Sequence, residues 1–387
     1  MVVLTEKLVE EILLRVPPDE PARLIRAALV CKAWSRILSG AGFRRRYRRL
    51  HPTPPLLGYI NNLEFHAGLE LVPTTSYFFP PPLPATNYRR ALDCRHGRVL
   101  IQDDDDTGGG FVIWDPIAGS RQHLSFPTHR RHNLLGSFTG AVLCAVDGCD
   151  HLDCHGGPFR VVFVGTARTH TAAFKKRLRY TWASVYSSET GAWSARTSRT
   201  KKNYHEVWPR EPSLLIGDAL YFPLACYPMR ILKYDLSAHR LSVITIQVDH
   251  EFDRAVPIDI DGRLGIVEYH RNCIYTWSRQ ADVNGVQGWA RHNVAELETS
   301  IPTRRRSPYR DHPDEVIRFA EGTDTVLFSL HNYIDWGVFT LDLKSRQVRK
   351  VSDRWDCEIL PYVSFCTPDL AKNKLCHCDE DARIRPS

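Results

Sequence analysis

LTEKLVEEILLRVPP (residues 4–18) and ARLIRAALVCKAWSRIL (residues 22–38) are the two runs that decide how this chain begins to fold. In the first run, apolar residues recur at the spacing of one helix face: Leu8, Val9, Ile12, Leu13 and Val16. This period predicts a first helix with an apolar stripe. Pro17 and Pro18 end that helix, because a proline ring cannot continue the hydrogen-bond ladder.

A second helix is predicted directly after the two prolines. Asp19 or Glu20 can cap it, and Pro21 then takes its first position, where a missing N–H costs nothing. Its apolar face comprises Leu24, Ala27, Ala28, Cys31 and Trp34. Two or three helices of this length cannot bury so much apolar surface against each other. The surplus predicts that the module docks on a partner.

The order of these residues resembles the F-box motif. The matching parts are the Leu8/Ile12/Leu13 stripe, the Val16-Pro17 stop, the VCKAW run at 30–34 and Phe43, while Thr5 stands where the family usually has proline. The resemblance implies that residues 1–49 bind a Skp-type adaptor through Leu4, Leu8, Val9, Ile12, Leu13, Val16, Pro17, Leu24, Val30, Cys31 and Trp34. The alternative is a generic small helical bundle that opens an unrelated fold.

After residue 55 the period changes to that of strands. Short β-rich runs recur between turns rich in Gly, Pro, Asp and Ser, and they group in threes. The five groups are 97–101, 111–114 and 121–124; 159–165, 182–186 and 192–194; 217–222, 230–235 and 240–244; 262–268, 273–278 and 288–291; and 325–330, 337–342 and 347–351.

A strand repeat without helices is typical of a β-propeller, because one blade cannot bury its own faces and blades must form a ring. Residues 56–60 and 359–363 can pair to close a sixth blade. We therefore predict a multidomain chain: a helical module (1–49), a proline-rich junction (50–55) crossed by few contacts, an all-β propeller of about six blades (56–366) and a polar tail (367–387). A two-sheet sandwich remains the alternative.

The Asp115-Pro-x-x-Gly119 turn, which follows Phe-Val-x-Trp, resembles the F-box-associated β-propeller class of plants. The two resemblances together imply a substrate receptor of an SCF (Skp–cullin–F-box) ubiquitin ligase. The adaptor would link it to cullin and RING subunits, and the β domain would hold an unknown protein substrate. Such a chain is non-catalytic, and no Gly-x-Ser-x-Gly, Walker or His-Glu-x-x-His motif is present. We expect no cofactor.

Composition limits the cellular setting. The chain has 387 residues and no apolar run of the length that spans a membrane, so no membrane partner is expected. Eleven scattered cysteines, without a secretory signal, predict reduced thiols in the cytoplasm or nucleus.

Charge supports a different class of function. Residues 21–50 carry nine basic and no acidic side chains, and the run Arg44–Arg49 could contact nucleic-acid phosphates. A second alternative is a propeller that binds a small ligand or glycan and no longer uses the F-box. We consider nucleic acid the weaker partner, because a solvated helix end explains the run equally well.

One cluster contains metal-ligand residue types: Cys144, Cys149, His151, Cys154 and His155. Thiolates and imidazoles at such spacing can hold zinc. The cluster lacks a Cys-x-x-Cys pair, and Cys144 is predicted inside a strand, so a loop with incidental ligand types is the preferred interpretation and no metal site is predicted.

Overall fold

A computed structural model describes residues 5–63, 68–75, 88–103, 109–127, 135–151, 154, 156–170, 177–200, 206–208, 210–226, 229–248, 252, 254–270, 273–281, 287–296, 316–331, 336–354, 356 and 358–368. Leu4 and the greater part of the predicted C-terminal tail lie outside these residues. Within them, no helix is both long and apolar enough to cross a membrane.

Four short helices form the N-terminal module: α1 (Glu6–Leu14), α2 (Pro21–Val30), α3 (Lys32–Ser39) and α4 (Ala41–Leu50). Thr5 Oγ1 accepts a hydrogen bond from the Leu8 N–H at 3.4 Å, so threonine caps α1 at the position where F-box sequences usually have proline. Pro21 is the first residue of α2, as predicted, and Glu20 precedes it. The sequence predicted two or three helices, and α4 is the additional one.

The module has its own small core. Tyr47 on α4 is almost fully buried, and its hydroxyl donates to the Val16 carbonyl at 2.8 Å. A ring nitrogen of His51 lies 2.9 Å from the Leu14 carbonyl oxygen. These two bonds tie α4 to the end of α1, and around them packs an apolar core: Val9, Leu13, Leu14, Leu24, Leu38, Phe43 and Tyr47.

The rest of the described chain is a set of six antiparallel sheets. Blade 1 contains β3 (Tyr88–Arg95), β4 (Arg98–Asp103), β5 (Gly110–Trp114) and β6 (Arg121–Ser125); blade 2 contains β7 (Leu135–Cys144), β8 (Phe159–His170), β9 (Arg177–Ser187), β10 (Ala192–Trp193) and β11 (Thr197–Thr200). Blade 3 contains β12 (Leu214–Ile216), β13 (Ala219–Leu224), β14 (Arg230–Asp235) and β15 (Arg240–Thr245).

Blade 4 contains β16 (Arg254–Ile260), β17 (Arg263–His270), β18 (Cys273–Ala281) and β19 (Gln287–Glu296); blade 5 contains β20 (Val316–Ala320), β21 (Thr325–His331), β22 (Trp336–Asp342) and β23 (Val348–Ser352). Blade 6 joins the two ends of the propeller, because β1 (Leu56–Asn62) pairs with β2 (Leu69–Pro73) on one side and with β24 (Ile359–Val363) on the other.

Apolar side chains fill all six interfaces between neighbouring blades. One cluster joins blades 1 and 2 around Phe111 and Phe163, and the others join blades 2 and 3, 3 and 4, 4 and 5, 5 and 6, and 6 and 1. A ring closed by burial on both faces of every sheet is a propeller and not a two-sheet sandwich. The predicted six-bladed propeller is confirmed.

A repeated turn joins the last two strands of three blades. Asp115 Oδ1 accepts hydrogen bonds from the backbone N–H groups of Ile117 at 3.0 Å and Ala118 at 2.9 Å. Asp235 makes the same contact with the Ala238 N–H at 2.8 Å, and Asp342 makes it with the Ser345 N–H at 2.6 Å. An aspartate that bonds to its own following backbone defines a tight turn, which explains why aspartate ends these strands in the sequence.

The helical module contacts the propeller through a few side chains. Phe365, which follows β24, belongs to the core of the module. Its ring lies 6.3 Å from that of Tyr47, and the Arg48 guanidinium lies 5.5 Å from its centre. Ile25 on α2 packs on the cluster between blades 6 and 1. The prolines at 52, 54 and 55 join two parts that share apolar contacts.

Candidate functional site

The first helix presents an apolar outer surface. Leu8 and Ile12, one helical turn apart, are 48% and 52% exposed. Val9 and Leu13, on the same predicted stripe, are buried in the core of the module. The stripe therefore has two faces with different uses: one packs inward, and the other is available to a partner.

A second apolar surface lies where α2 meets α3. Leu29 and Val30 are both 64% exposed, and Cys31 between the helices is also exposed. Among the other residues predicted to bind the adaptor, Pro17 is exposed, Val16 and Trp34 are half-buried and Leu24 is fully buried. The sequence analysis did not select Leu29, although its apolar character next to Val30 was a usable signal.

The basic run on α4 is engaged within the chain. Arg46 Nη1 lies 2.7 Å from Glu10 Oε1, and its Nη2 also contacts Glu11. The bond to Glu11 is the largest cause that raises the pKa of Arg46. Arg45 Nη2 lies 2.8 Å from Asp150 Oδ2 of blade 2. With Arg48 buried beneath Phe365, three side chains of the run contact other parts of the same chain.

A buried ion network fills the propeller axis. Arg95 on β3 contacts Asp93, and its Nε lies 2.7 Å from Glu321 Oε1 of blade 5. Arg95 Nη2 also donates to the Ser213 carbonyl before β12 at 2.6 Å. Asp93 in turn accepts a hydrogen bond from the Val142 N–H of blade 2 at 2.8 Å. Side chains of two blades and backbone groups of two others therefore meet at one point.

A second arginine extends this network towards blade 6. Arg318 Nη1 lies 3.0 Å from Glu211 Oε1, and its Nε donates to the Ile359 carbonyl at 3.1 Å. The cavity among these side chains measures about 40 Å³. Small-molecule pockets usually measure about 300–1,000 Å³, so this space suits ordered water and not a ligand.

A much larger groove opens between blades 3 and 4. Its volume is about 1020 Å³, and its lining includes Tyr221, Lys233, Asp261, Arg263 and Arg279. Three of these side chains are cationic and one is anionic. The cationic side chains of this groove can pair with anionic groups.

Comparison with solved structures gives matches of low identity. TolB from Acinetobacter baumannii is 12% identical with a TM-score of 0.41, over 82% of this chain and 69% of that one. Hydrazine synthase from Kuenenia stuttgartiensis is 12% identical with a TM-score of 0.43, over 84% and 49%. Acylaminoacyl peptidase from Pyrococcus horikoshii is 10% identical with a TM-score of 0.34, over 73% and 39%. The chain thus spans half or less of the last two.

Family models match both parts of the chain. The F-box domain matches residues 3–46. The family described as F-box protein AT5G49610-like, beta-propeller matches residues 90–368, which is more than half of the chain. No curated protein matches the chain. With an F-box folded against a closed ring of six blades, the chain belongs to the F-box proteins of the AT5G49610-like β-propeller family.

Proposed function

We propose that the chain is the substrate receptor of an SCF-type ubiquitin ligase, acting in the cytoplasm or nucleus. F-box domains generally bind Skp-type adaptors, and F-box proteins are typically receptors of this kind. The observation that carries the proposal is the exposure of two apolar surfaces, Leu8 with Ile12 and Leu29 with Val30, hereafter together called the docking face. It stays exposed although the core of the module already packs on the propeller. Burial of that surface is the main gain that a partner would provide.

The mechanism is proximity. The adaptor links the receptor to the cullin and RING subunits, and the propeller holds a target protein. A lysine of that target is then kept close to the ubiquitin thioester of the conjugating enzyme, which raises its effective concentration. The bond-making chemistry belongs to other subunits. The close packing around Phe365 supports this role, because a rigid module fixes the direction in which a bound target points.

The proposal is tested with Ile12→Asp. A buried aliphatic side chain contributes about 1.5–3 kcal/mol, and an unpaired carboxylate in the same interface costs several kcal/mol more. Each 1.4 kcal/mol is about tenfold in affinity, so we expect adaptor binding to weaken by orders of magnitude in isothermal titration calorimetry. Ile12 contributes nothing to the module's core, and the variant should therefore fold.

Leu50→Asp is the matched control. Leu50 is also apolar, lies on a helix of the same module and is 55% exposed, but it is not part of the docking face. Its adaptor affinity should equal that of the original chain. Equal adaptor affinity for Ile12→Asp and Leu50→Asp, in proteins with unchanged circular dichroism, would show that the receptor proposal is wrong.

The two alternative functions, nucleic-acid binding and small-ligand binding, require other features of the structure. A phosphate-binding protein needs available cations, yet Arg45, Arg46 and Arg48 contact other parts of the chain. Such binding would also weaken steeply with salt, whereas apolar docking would not. The described axis has no room for a small ligand, because ion pairs there surround only about 40 Å³. Neither alternative accounts for the docking face.

A further inference from the structure

The hairpin loop between β7 and β8 gathers four metal-ligand side chains. Cys144 ends β7, while Cys149, His151 and Cys154 lie in the loop before β8 begins at Phe159. The three sulfurs and the imidazole ligand atom all lie within 4.8 Å of one another. His155, the fifth residue of the sequence cluster, lies outside the described residues.

We propose that these four residues form a structural zinc site of the Cys₃His type. Zinc in such sites is tetrahedral, with Zn–S bonds of about 2.3 Å, which places two sulfurs about 3.8 Å apart. A cluster that already lies within 4.8 Å needs only small side-chain rotations to reach that geometry. Thiolates and imidazole select zinc over magnesium or calcium, which prefer oxygen ligands. Four protein ligands leave no open position, so the site is structural and not catalytic.

The loop backbone holds the ligands in place. The His151 N–H donates to Cys149 Sγ at 3.4 Å, and the Cys149 N–H donates to the Val146 carbonyl at 3.3 Å. His151 itself has a φ of 52°, in the left-handed region that few residues other than glycine adopt. A strained position that points a ligand at three thiols is a frequent feature of functional loops.

Two side chains next to the four ligands also contribute to the site. Arg98, buried at the start of β4, donates through Nη2 to the carbonyls of Cys154 at 2.7 Å and Gly157 at 2.8 Å. Its Nη1 is buried and has no hydrogen-bond partner within the described part of the chain. The His96 ring stacks on that of His151 at 4.2 Å. Three thiolates and one Zn²⁺ leave a single net negative charge, and Arg98 offsets it.

A catalytic cysteine and a disulfide are the competing explanations. Cys154 is buried, whereas a cysteine nucleophile needs access to its substrate. Cys144, Cys149 and Cys154 form no disulfide in this structure. A disulfide would use two of the three sulfurs in the cluster and leave His151 without a role.

The site also has a consequence for the domain arrangement. Asp150, between two of the ligands, pairs with Arg45 on α4 at 2.8 Å. This ion pair is largely exposed and weak by itself. A zinc ion that fixes the loop would fix Asp150 as well, and would hold blade 2 against the F-box module. This role does not depend on the proposed receptor function.

The test measures metal in the full chain. Purified without chelators, the chain should contain about one Zn²⁺ per molecule by plasma mass spectrometry. Co²⁺ should replace it and give the visible d–d bands and sulfur charge-transfer band of a tetrahedral thiolate site. Cys149→Ser and His151→Gln should each weaken zinc binding by more than about a hundredfold in a competition assay with a chromogenic chelator. His151→Gln changes an exposed residue and should leave the fold intact.

Cys226→Ser is the control, because Cys226 is a half-buried cysteine outside the cluster. It should keep its zinc. Removal of zinc by the chelator should also raise amide hydrogen exchange in residues 145–151 and 41–50 of the original chain. The proposal fails if the full chain binds no zinc after zinc is supplied, or if Cys149→Ser and His151→Gln retain it. A disulfide among Cys144, Cys149 and Cys154 in freshly purified protein would equally overturn it.

Discussion

At the residue scale, the carboxyl group of Asp93 links the stability of the propeller to pH. Burial is the main cause that raises its pKa from 3.8 to about 7, and the Arg95 guanidinium opposes this shift. Between these two pH values the native chain binds a proton that the unfolded chain has already released. The free energy of unfolding therefore decreases as pH rises through this window, and the contribution of Asp93 is fully present only below it.

Asp93→Asn removes this titration. We expect the slope of unfolding free energy against pH, between about pH 4 and pH 7, to become less negative by up to about 1.4 kcal/mol per pH unit. Urea unfolding at several pH values measures the slope. Asp353→Asn, at an exposed carboxylate, should leave it unchanged. A slope that is the same for Asp93→Asn and the original chain would contradict the prediction.

Single residues also show what the sequence could not decide. The helical period correctly predicted an apolar stripe on α1, but it could not separate Ile12, which is exposed, from Leu13, which is buried. Both satisfy the same pattern, and the positions of the other three helices and Phe365 decide which side is covered. The convergence of the cysteine cluster was hidden for a similar reason, because its potential ligand atoms come together only when the β7–β8 hairpin returns on itself.

At the element scale, the interior strands were the hardest to predict. The middle strands of blades 1 to 5 and most outer strands were found from their apolar alternation, while the outer strands β2 and β11 were missed. The strands at the inner edge of blades 1 to 5, β3, β7, β12, β16 and β20, were not delimited either. These strands lie next to the axis, and two of them carry its charged residues, Asp93, Arg95 and Arg318. Several of their partners lie in other blades, such as Glu321 for Arg95 and Glu211 for Arg318, and no local sequence pattern records such contacts. Pro257 inside β16 further concealed that strand.

The contact between α4 and the end of β24 yields a prediction at this scale. Phe365→Ala removes the ring that Tyr47 and Arg48 cover. Replacing a buried phenylalanine by alanine costs about 3–5 kcal/mol of stability, and here it weakens the contact between the module and the propeller. We expect residues 51–55 to become sensitive to limited proteolysis while the blades remain resistant.

Phe252→Ala provides the comparison, since Phe252 packs edge-on against Trp277 between blades 3 and 4, away from the module. It should lower the stability of the propeller without exposing residues 51–55. If residues 51–55 resist proteolysis equally in the Phe365→Ala variant and in the original chain, the Phe365 side chain does not hold the module in place.

At the scale of the whole molecule, the ring depends on strands from the two ends of the chain. The sequence predicted that residues 56–60 and 359–363 pair, and the structure places Tyr59 opposite Pro361 and Ile60 opposite Leu360. This closure was predictable because both segments are short apolar runs at the limits of the repeat. The position of the F-box module on the propeller could not be predicted. It depends on contacts of Phe365 and Ile25, whose neighbours come from distant parts of the sequence.

Closure itself is testable at Ile60, which is fully buried in the central strand of blade 6 with Leu71 on one side and Leu360 on the other. Ile60→Val keeps the backbone N–H and should cost about 0.5–1.5 kcal/mol. Ile60→Pro removes that N–H from a central strand, where proline is not accommodated. We expect urea unfolding to show an extra loss of about 3 kcal/mol or more for the proline variant. Because the pairing of β1 with β24 closes the ring, the loss of stability should affect every blade. Hydrogen exchange should therefore rise in blades 1 and 5 together. Equal stability of the two variants would mean that the ring does not depend on this pairing.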